Sequence, residues 1–65
     1  MERKYVQEYW REHQKVKVFL NNNDIYTGVI IEVGDDTILF QDKFNREIPI
    51  SLDAISHIVP MGDVK

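Results

Sequence analysis

The 65-residue sequence contains no cysteine, only two histidines and no long apolar run. Without cysteine, neither a disulfide nor a thiolate zinc site can stabilise the fold, and His13 and His57 lie far apart in the chain. No segment approaches the roughly 18 apolar residues of a membrane span. Residues 2–4 are charged and lead into an amphipathic stretch rather than the apolar core of a signal peptide. These absences predict a cytoplasmic protein with no membrane contact, no cofactor and no metal.

The sequence also lacks the residue patterns of common catalytic sites. No serine or lysine is accompanied by a recognisable base, and the three glycines form no phosphate-binding loop. The adjacent carboxylates Asp35 and Asp36 follow a glycine, which is typical of a turn. We therefore predict that the protein is not an enzyme.

The short length of the chain predicts one domain, spanning residues 1–65, and a need for extra stabilisation. A chain of this size buries only about 60% of its unfolded surface, so self-association is the expected stabiliser. The net charge of −3 argues weakly against general affinity for nucleic acid. Residues 1–17 are nevertheless net basic and residues 18–65 net acidic, which predicts either a basic surface on an acidic body or a solvated helix with scattered charges.

Hydrophobic periodicity predicts one helix followed by five strands. Apolar side chains recur at helical spacing over about residues 2–14. These apolar side chains are Tyr5, Val6, Tyr9 and Trp10. Beyond the helix the pattern alternates as in β-strands, and asparagine- and glycine-containing turns separate the strands. The predicted strands cover about residues 16–21, 25–33, 37–41, 47–52 and 55–59, followed by a flexible tail at residues 61–65.

Two residues inside the predicted strands constrain the architecture. Gly28 lies within the second strand, where a glycine marks a sharp bend or the close approach of another backbone. Pro49 lies in the fourth strand and suits only an edge, or a position that faces away from a neighbouring strand. The pattern predicts a mainly β fold with an N-terminal α-helix, in which five strands form a strongly bent SH3-like or OB-like barrel.

This order of elements resembles the Sm-like family and, within it, the Hfq group of bacterial RNA chaperones. The resemblance covers about residues 4–60, and the helical stripe stands where Hfq has Phe-Leu-x-x-Leu. Its most specific part is residues 54–60, Ala-Ile-Ser-His-Ile-Val-Pro, which are similar to the Ala-Ile-Ser-x-x-x-Pro segment of Hfq. Residues 16–22 look like the alternating first strand and asparagine turn, and Gly28 falls on the glycine of the family's first motif.

The resemblance implies a homo-oligomeric ring in which the fourth strand of one subunit pairs with the fifth strand of the next. Ring closure removes the two unpaired sheet edges of an isolated barrel. The implied assembly is a hexamer, with pentamers and heptamers left open. The residues expected at or beside the junction are Ile48, Ile50, Ile55 and Ile58.

The resemblance also implies a site for single-stranded RNA on the distal face of the ring. In Hfq, an aromatic residue of the first strand and an apolar residue of the second strand, from adjacent subunits, enclose a base. Phe19 and Tyr26 hold those positions here, although Asp24 replaces an apolar residue of the site. The further distal-face candidates are Asn22, Asn23, Thr27 and His57. Alternatively, Phe19 and Tyr26 pack against each other or fill the ring interface.

The uridine-binding proximal site of Hfq is predicted to be lost. Asp36, preceded by Asp35, replaces its aromatic residue, and Leu52 and Asp53 replace its Lys-His pair. Carboxylates neither stack on bases nor attract phosphate, so these four residues are expected to line an acidic pore suited to cations or a basic peptide. The rim candidates for phosphate contact are Arg11, Lys15 and Lys17. A solvated helix face is the alternative for the rim.

Two functions follow from these observations. The first is an Hfq-like ring that binds single-stranded RNA without catalysis, as an RNA chaperone or post-transcriptional regulator. The second, favoured by the acidic balance and the missing Lys-His pair, is an Sm-like ring that acts as a scaffold for protein partners with little or no RNA binding.

Overall fold

The computed structural model of the protein describes residues 3–61. Its elements in chain order are the helix α1 (Arg3–Arg11), the strands β1 (Val16–Leu20), β2 (Ile25–Val33), β3 (Thr37–Asp42) and β4 (Glu47–Ser51), a 3₁₀ turn (Leu52–Ala54) and the strand β5 (Ile55–Pro60). The helix and the five strands agree with the predicted order, and the bounds of β2 agree in full. The first predicted helical residue and the tail at residues 62–65 lie outside the described residues.

Helix α1 ends three residues earlier than predicted because the backbone turns at His13. This residue has a left-handed φ of 53°, the conformation that commonly follows the last turn of a helix. The N–H of His13 donates to Trp10 O, and the N–H of Gln14 donates to Tyr9 O. These two bonds satisfy carbonyls that the end of the helix would otherwise leave unpaired, so the helix ends at Arg11.

The five strands form one antiparallel sheet in the order β4-β3-β2-β1-β5. Gly28 lies where β2 pairs with both β1 and β3, opposite Val16 and Asp42. A Cβ atom at Gly28 would lie 1.9 Å from the carbonyl oxygen of Gln41. Since Gly28 does not adopt a positive φ, the close approach of the β3 backbone is what requires glycine, as the sequence predicted.

The core lies between the inner face of the bent sheet and helix α1. Its buried residues are Val6, Val16, Val18, Ile30, Ile38, Phe40, Ile50, Leu52, Ile55 and Ile58. Val6 is fully buried, and Tyr9 packs against the same cluster. Trp10 Nε1 also donates a hydrogen bond to Ile31 O of β2 at 3.1 Å. The helix is too short to be stable alone, and these contacts hold it on the sheet.

The hydrogen-bond pattern explains how β4 accommodates a proline. The N–H of Leu52 donates to Asp36 O at 2.8 Å, so Leu52 and Asp36 form a hydrogen-bonded pair at the end of the β3–β4 ladder. Because hydrogen-bonded and non-hydrogen-bonded pairs alternate, the pair of Leu39 and Pro49 is non-hydrogen-bonded. The nitrogen of Pro49 therefore faces the open edge of the sheet, and β4 is an edge strand, as predicted for a strand that contains proline.

Candidate nucleic-acid interface

The outer face of the sheet carries a stacked pair of rings, Phe19 of β1 and His57 of β5. The two residues are opposite each other in the β1–β5 ladder, and their ring centroids lie 4.3 Å apart at an interplanar angle of 11°. Ser56 Oγ lies 3.1 Å from His57 Nδ1, a contact that orients the imidazole. His57 is exposed and Phe19 is half-buried, so solvent reaches the pair, although the two facing ring surfaces cover each other.

Two exposed aliphatic side chains lie on the same face of the sheet as this ring pair. Ile25 is the partner of Phe19 in the β1–β2 ladder and is 53% exposed. Val59 lies on the same face, opposite Lys17, and is 39% exposed. We call Phe19, Ile25, His57 and Val59 the outer platform. The outer platform offers apolar and aromatic side chains, and bases stack on aromatic side chains.

Tyr26 lies on the opposite face of the sheet from Phe19. It is the partner of Val18, a core residue, and its ring centroid lies 6.5 Å from that of Phe40 at an angle of 42°. Because successive residues of a strand point to opposite faces, Phe19 and Tyr26 do not pack against each other within one chain. That alternative is wrong, and the intramolecular partner of Phe19 is His57.

The asparagine turn stands beside the platform, and two of its three asparagine side chains form hydrogen bonds. Asn23 has a left-handed φ of 74°, which asparagine tolerates better than most residues. Asp24 N donates to Asn22 Oδ1 at 3.0 Å, and Asn22 Nδ2 donates to Asp24 Oδ2 at 3.2 Å. Asn21 Nδ2 also donates to Asp53 O at 2.9 Å. The turn is therefore anchored to the 3₁₀ turn that precedes β5.

Three of the four residues predicted to line an acidic pore are exposed, and we call the region that they share the acidic end of the barrel. Asp35, Asp36 and Asp53 are exposed, and the bond from Leu52 N to Asp36 O joins the two turns that carry them. Leu52 itself is only 5% exposed and belongs to the core. The expectation that Leu52 lines the pore is corrected for this reason: the 3₁₀ turn, capped by Ser51 Oγ, directs its side chain inward.

The β3–β4 loop is held by the buried carboxylate of Asp42, the last residue of β3, for which the sequence predicted no role. Asp42 is 6% exposed and accepts hydrogen bonds from Phe44 N, Arg46 N and Arg46 Nε at 2.9–3.0 Å. Arg46 Nη2 lies 2.8 Å from Asp42 Oδ2. Burial raises the pKa of Asp42, but the hydrogen bonds from Arg46 and Phe44 and the charge of Arg46 outweigh it, so the net pKa is below its ordinary value.

Phe44, at the tip of this loop, is another residue that the sequence analysis did not identify. It is 66% exposed. Lys43 Nζ lies 5.5 Å and Arg46 Cζ 5.3 Å from the centroid of its ring, within the range of cation–π attraction. Two clefts of about 260 and 210 Å³ flank the loop, and both are lined by Lys43 and Thr27.

Comparison with solved structures finds this helix and sheet in Hfq proteins. A crystal structure of Hfq, described as a pleiotropic translational regulator, superposes with a TM-score of 0.79 at 23% sequence identity, covering 86% of this chain and 92% of that one. The chain adopts the Sm-like fold. An Hfq protein from Anabaena sp. superposes with a TM-score of 0.77 at 21% identity, covering 89% of this chain and 92% of that one. No protein-family profile and no curated protein sequence matches the chain.

The isoleucines expected at or beside a subunit junction pack in the core of their own chain. Ile50, Ile55 and Ile58 are buried in the core of the same chain, and Ile48 is half-buried against it. These residues lie on the predicted junction strands, but their side chains point inward. The outer sides of β4 and β5 are unpaired within the described chain.

Two of the basic rim candidates, Arg11 and Lys15, line different clefts. Arg11 is exposed at the end of α1 and lines a cleft there. Lys15 instead lines the larger cleft beside the β3–β4 loop, and Lys17 is half-buried opposite Thr27 in the β1–β2 ladder. Lys15 and Lys17 thus both lie near Thr27, whereas neither lines the cleft that Arg11 lines.

Two further findings concern residues 3–61 alone. In this part of the chain, no three or more histidine, aspartate or glutamate side chains are grouped so as to hold a metal ion. The same residues include no helix with the length and apolar character needed to cross a membrane.

Proposed function

We propose that the chain assembles into a homo-oligomeric Sm-like ring that binds single-stranded RNA in the cytoplasm, as a non-catalytic RNA chaperone or post-transcriptional regulator. The observation that carries the proposal is the solvent-facing stack of Phe19 and His57 on a fold shared with Hfq. The resemblance to Hfq favours a hexamer.

Stacking is the mode of binding that suits this chain. Each stacked base contributes roughly 1–3 kcal/mol and needs little positive charge, which accords with a net charge of −3. Because Phe19 and His57 already contact each other at 4.3 Å, a base stacks on the open side of the pair rather than between the rings. The imidazole holds the phenyl ring in place before binding, which reduces the entropy lost when the complex forms.

Assembly multiplies the effect of a single stacking site. The outer sides of β4 and β5 are the two open edges of the sheet, and pairing β4 of one subunit with β5 of the next satisfies both. A closed ring then repeats the outer platform once per subunit. Once one platform has bound an RNA chain, the remaining platforms of the ring meet that chain at a high effective concentration. The assembled ring therefore binds RNA more tightly than one subunit does.

Binding of labelled A-rich, U-rich and mixed oligonucleotides at low salt tests the proposal by fluorescence anisotropy. Replacing Phe19 with leucine removes the aromatic face and keeps the apolar volume, so the affinity should fall roughly 5- to 150-fold per stacked base. Tyr5 is 51% exposed on α1, and Tyr5→Leu serves as the matched control. Light scattering verifies that the variants retain the oligomeric state. If the wild-type ring binds none of these RNAs at micromolar concentration, the proposal is wrong.

The acidic end of the barrel favours a second candidate, a scaffold ring for a basic protein partner. Asp35, Asp36 and Asp53 are exposed there on adjoining turns, and a ring brings several copies of them together. Under this alternative the purified ring carries no nucleic acid, seen as a low ratio of absorbance at 260 and 280 nm. The Phe19→Leu change would then leave the binding of the partner intact.

A further inference from the structure

The β3–β4 loop displays Phe44 on a fixed support rather than on a mobile tip. The N–H of Asp42 donates to Arg46 O, and the N–H of Asn45 donates to Asp42 O, at 3.0 and 2.9 Å. The Asp42 carboxylate accepts the N–H groups of Phe44 and Arg46 from inside the loop. Asn45 completes the turn with a left-handed φ of 66°. Phe44 therefore projects from an ordered loop, although two thirds of it is exposed.

The charge around Phe44 favours an anionic partner. Among the residues that line the two clefts, Lys15, Lys43 and Arg46 are basic and Asp42 is the one carboxylate. The single ion pair found within residues 3–61 joins Arg46 to Asp42, so the charges of Lys15 and Lys43 are not compensated by a partner in the described chain. Lys43 lies beside the exposed Phe44 ring, and Lys15 shares the larger cleft with Lys43.

The clefts beside Phe44 are continuous with the outer platform. Ile25 is opposite Phe19 in the β1–β2 ladder and also lines the smaller cleft together with Phe44. Thr27, two residues further along β2, lines both clefts. A strand of RNA on the platform can therefore reach Phe44 across Ile25.

We propose that Phe44, Lys43 and Lys15 form a second contact for single-stranded RNA, in which a base stacks on the Phe44 ring and the adjoining phosphate binds the two lysines. The Arg46 guanidinium flanks the other part of the ring and stays paired with Asp42, so it supports the site and adds little net charge. This inference rests on the proposed RNA-binding function. It adds a site at which sequence-independent stacking and phosphate binding occur together.

Anisotropy titrations with a labelled trinucleotide and a labelled nonanucleotide of adenine separate the two contacts. The trinucleotide reports mainly on the outer platform, and the nonanucleotide is long enough to extend to the loop. Phe44→Leu should weaken nonanucleotide binding roughly 5- to 150-fold and leave trinucleotide binding unchanged. Phe44→Trp should retain the affinity for the nonanucleotide, because it preserves an aromatic face, and its indole fluorescence should change on binding.

The lysines are tested through the salt dependence of the same binding. Removing one phosphate contact to a single strand makes the slope of log K against log salt less negative by about 0.7. Lys43→Gln and Lys15→Gln should each make the slope for the nonanucleotide less negative by about that amount. Tyr5→Leu again serves as the control, since Tyr5 lies on α1 and lines neither cleft.

The outcome also separates this inference from the proposed function. If Phe44→Leu binds both probes as Tyr5→Leu does, while Phe19→Leu binds them weakly, the second contact is refuted and the platform stands. Equal losses of affinity for the nonanucleotide in Phe44→Leu and Phe44→Trp would also refute the second contact, because they would show that the substitutions disturb the loop rather than stacking. If the wild-type ring binds neither probe, the proposed function itself is refuted.

Discussion

Replacing Gly28 with alanine should break the sheet at the contact between β2 and β3. The new Cβ would lie 1.9 Å from Gln41 O and 2.9 Å from Asp42 Cα, whereas ordinary contacts begin at 3.4 Å. Both atoms belong to the backbone, so no side chain can rotate away. To restore an ordinary contact, β3 must move by about 1.5 Å, which stretches the neighbouring ladder hydrogen bonds beyond their useful length.

The size of the effect follows from these distances. Overpacking of a filled interior costs roughly 1–3 kcal/mol, and each lost ladder hydrogen bond adds about 0.5–1.5 kcal/mol. With two such bonds lost, the expected destabilisation is roughly 2–6 kcal/mol. A chain of 65 residues has a total stability of only about 3–10 kcal/mol, so the substitution should remove a large part of it.

Urea unfolding followed by circular dichroism measures this prediction, at one fixed protein concentration because assembly contributes to stability. With a slope of about 1 kcal/mol per molar urea, the midpoint for Gly28→Ala should fall by about 2 M or more. Gly34→Ala is the matched control: its Cβ would meet Thr37 O and Thr37 Oγ1 at 3.3 Å, which small shifts relieve. Equal midpoints for the two variants would refute the close-approach argument.

Two further predictions concern the loop carboxylate and the helix. The net pKa of Asp42 is lowered in the folded chain, so its contribution to stability is present above the ordinary value of 3.8 and is lost as the pH falls below it. The difference in urea midpoint between wild type and Asp42→Asn should therefore be smaller at about pH 3 than at pH 7, and a pH-independent difference would contradict this. Val6→Ala should destabilise the chain by roughly 1.5–3 kcal/mol because it empties a fully buried position. Tyr5→Ala, at the exposed neighbouring position, should change the midpoint little, and similar losses in both would argue against docking of α1 through Val6.

The sequence predicted the elements well where local chemistry marks their ends. The bounds of β2 agree because an asparagine-rich turn precedes it and Gly34 follows it. The helix extends less far than predicted because the left-handed residue that ends it is His13, which carries no signal comparable to glycine. The close approach at Gly28 was predictable in kind, but its partner, Gln41, was not, since that contact depends on the pairing of β2 with β3.

The candidate site was less predictable because it depends on long-range pairing and on side-chain direction. The resemblance singled out Phe19, but its contact with His57 arises from the pairing of β1 with β5, which are far apart in sequence. Leu52 was assigned to the pore by its alignment position, and a 3₁₀ turn rotates it into the core. Phe44 carries no periodic signal because it lies in a loop, and its two flanking cations are the only local indication of a binding role.

The two prolines at the edges of the sheet restrict how neighbouring chains can pair. Met61 N donates to Lys15 O, so by the alternation of the antiparallel ladder the pair of Val16 and Pro60 is non-hydrogen-bonded. The nitrogen of Pro60 therefore faces the open side of β5, as the nitrogen of Pro49 faces the open side of β4. Each edge strand therefore lacks one outward-facing hydrogen-bond donor. This lack disfavours unlimited edge-to-edge aggregation and reduces the number of registers in which β4 of one chain can pair with β5 of another.

Pro49→Val tests whether β4 is a junction strand. The change restores an N–H on the outer side of β4 and leaves the ladder to β3 intact, because Pro49 occupies a non-hydrogen-bonded pair. If β4 pairs with a neighbouring subunit, one added hydrogen bond contributes about 0.5–1.5 kcal/mol. The association constant of each junction should then rise by a factor of roughly 2–13, and sedimentation velocity should show the assembly persisting at lower concentrations than for wild type.

If the variant and the wild type dissociate over the same range of concentrations, the outer side of β4 faces solvent in the assembly. A wild-type chain that remains a stable monomer at micromolar concentration would exclude the ring altogether, since a lone barrel would then be stable with both edges open.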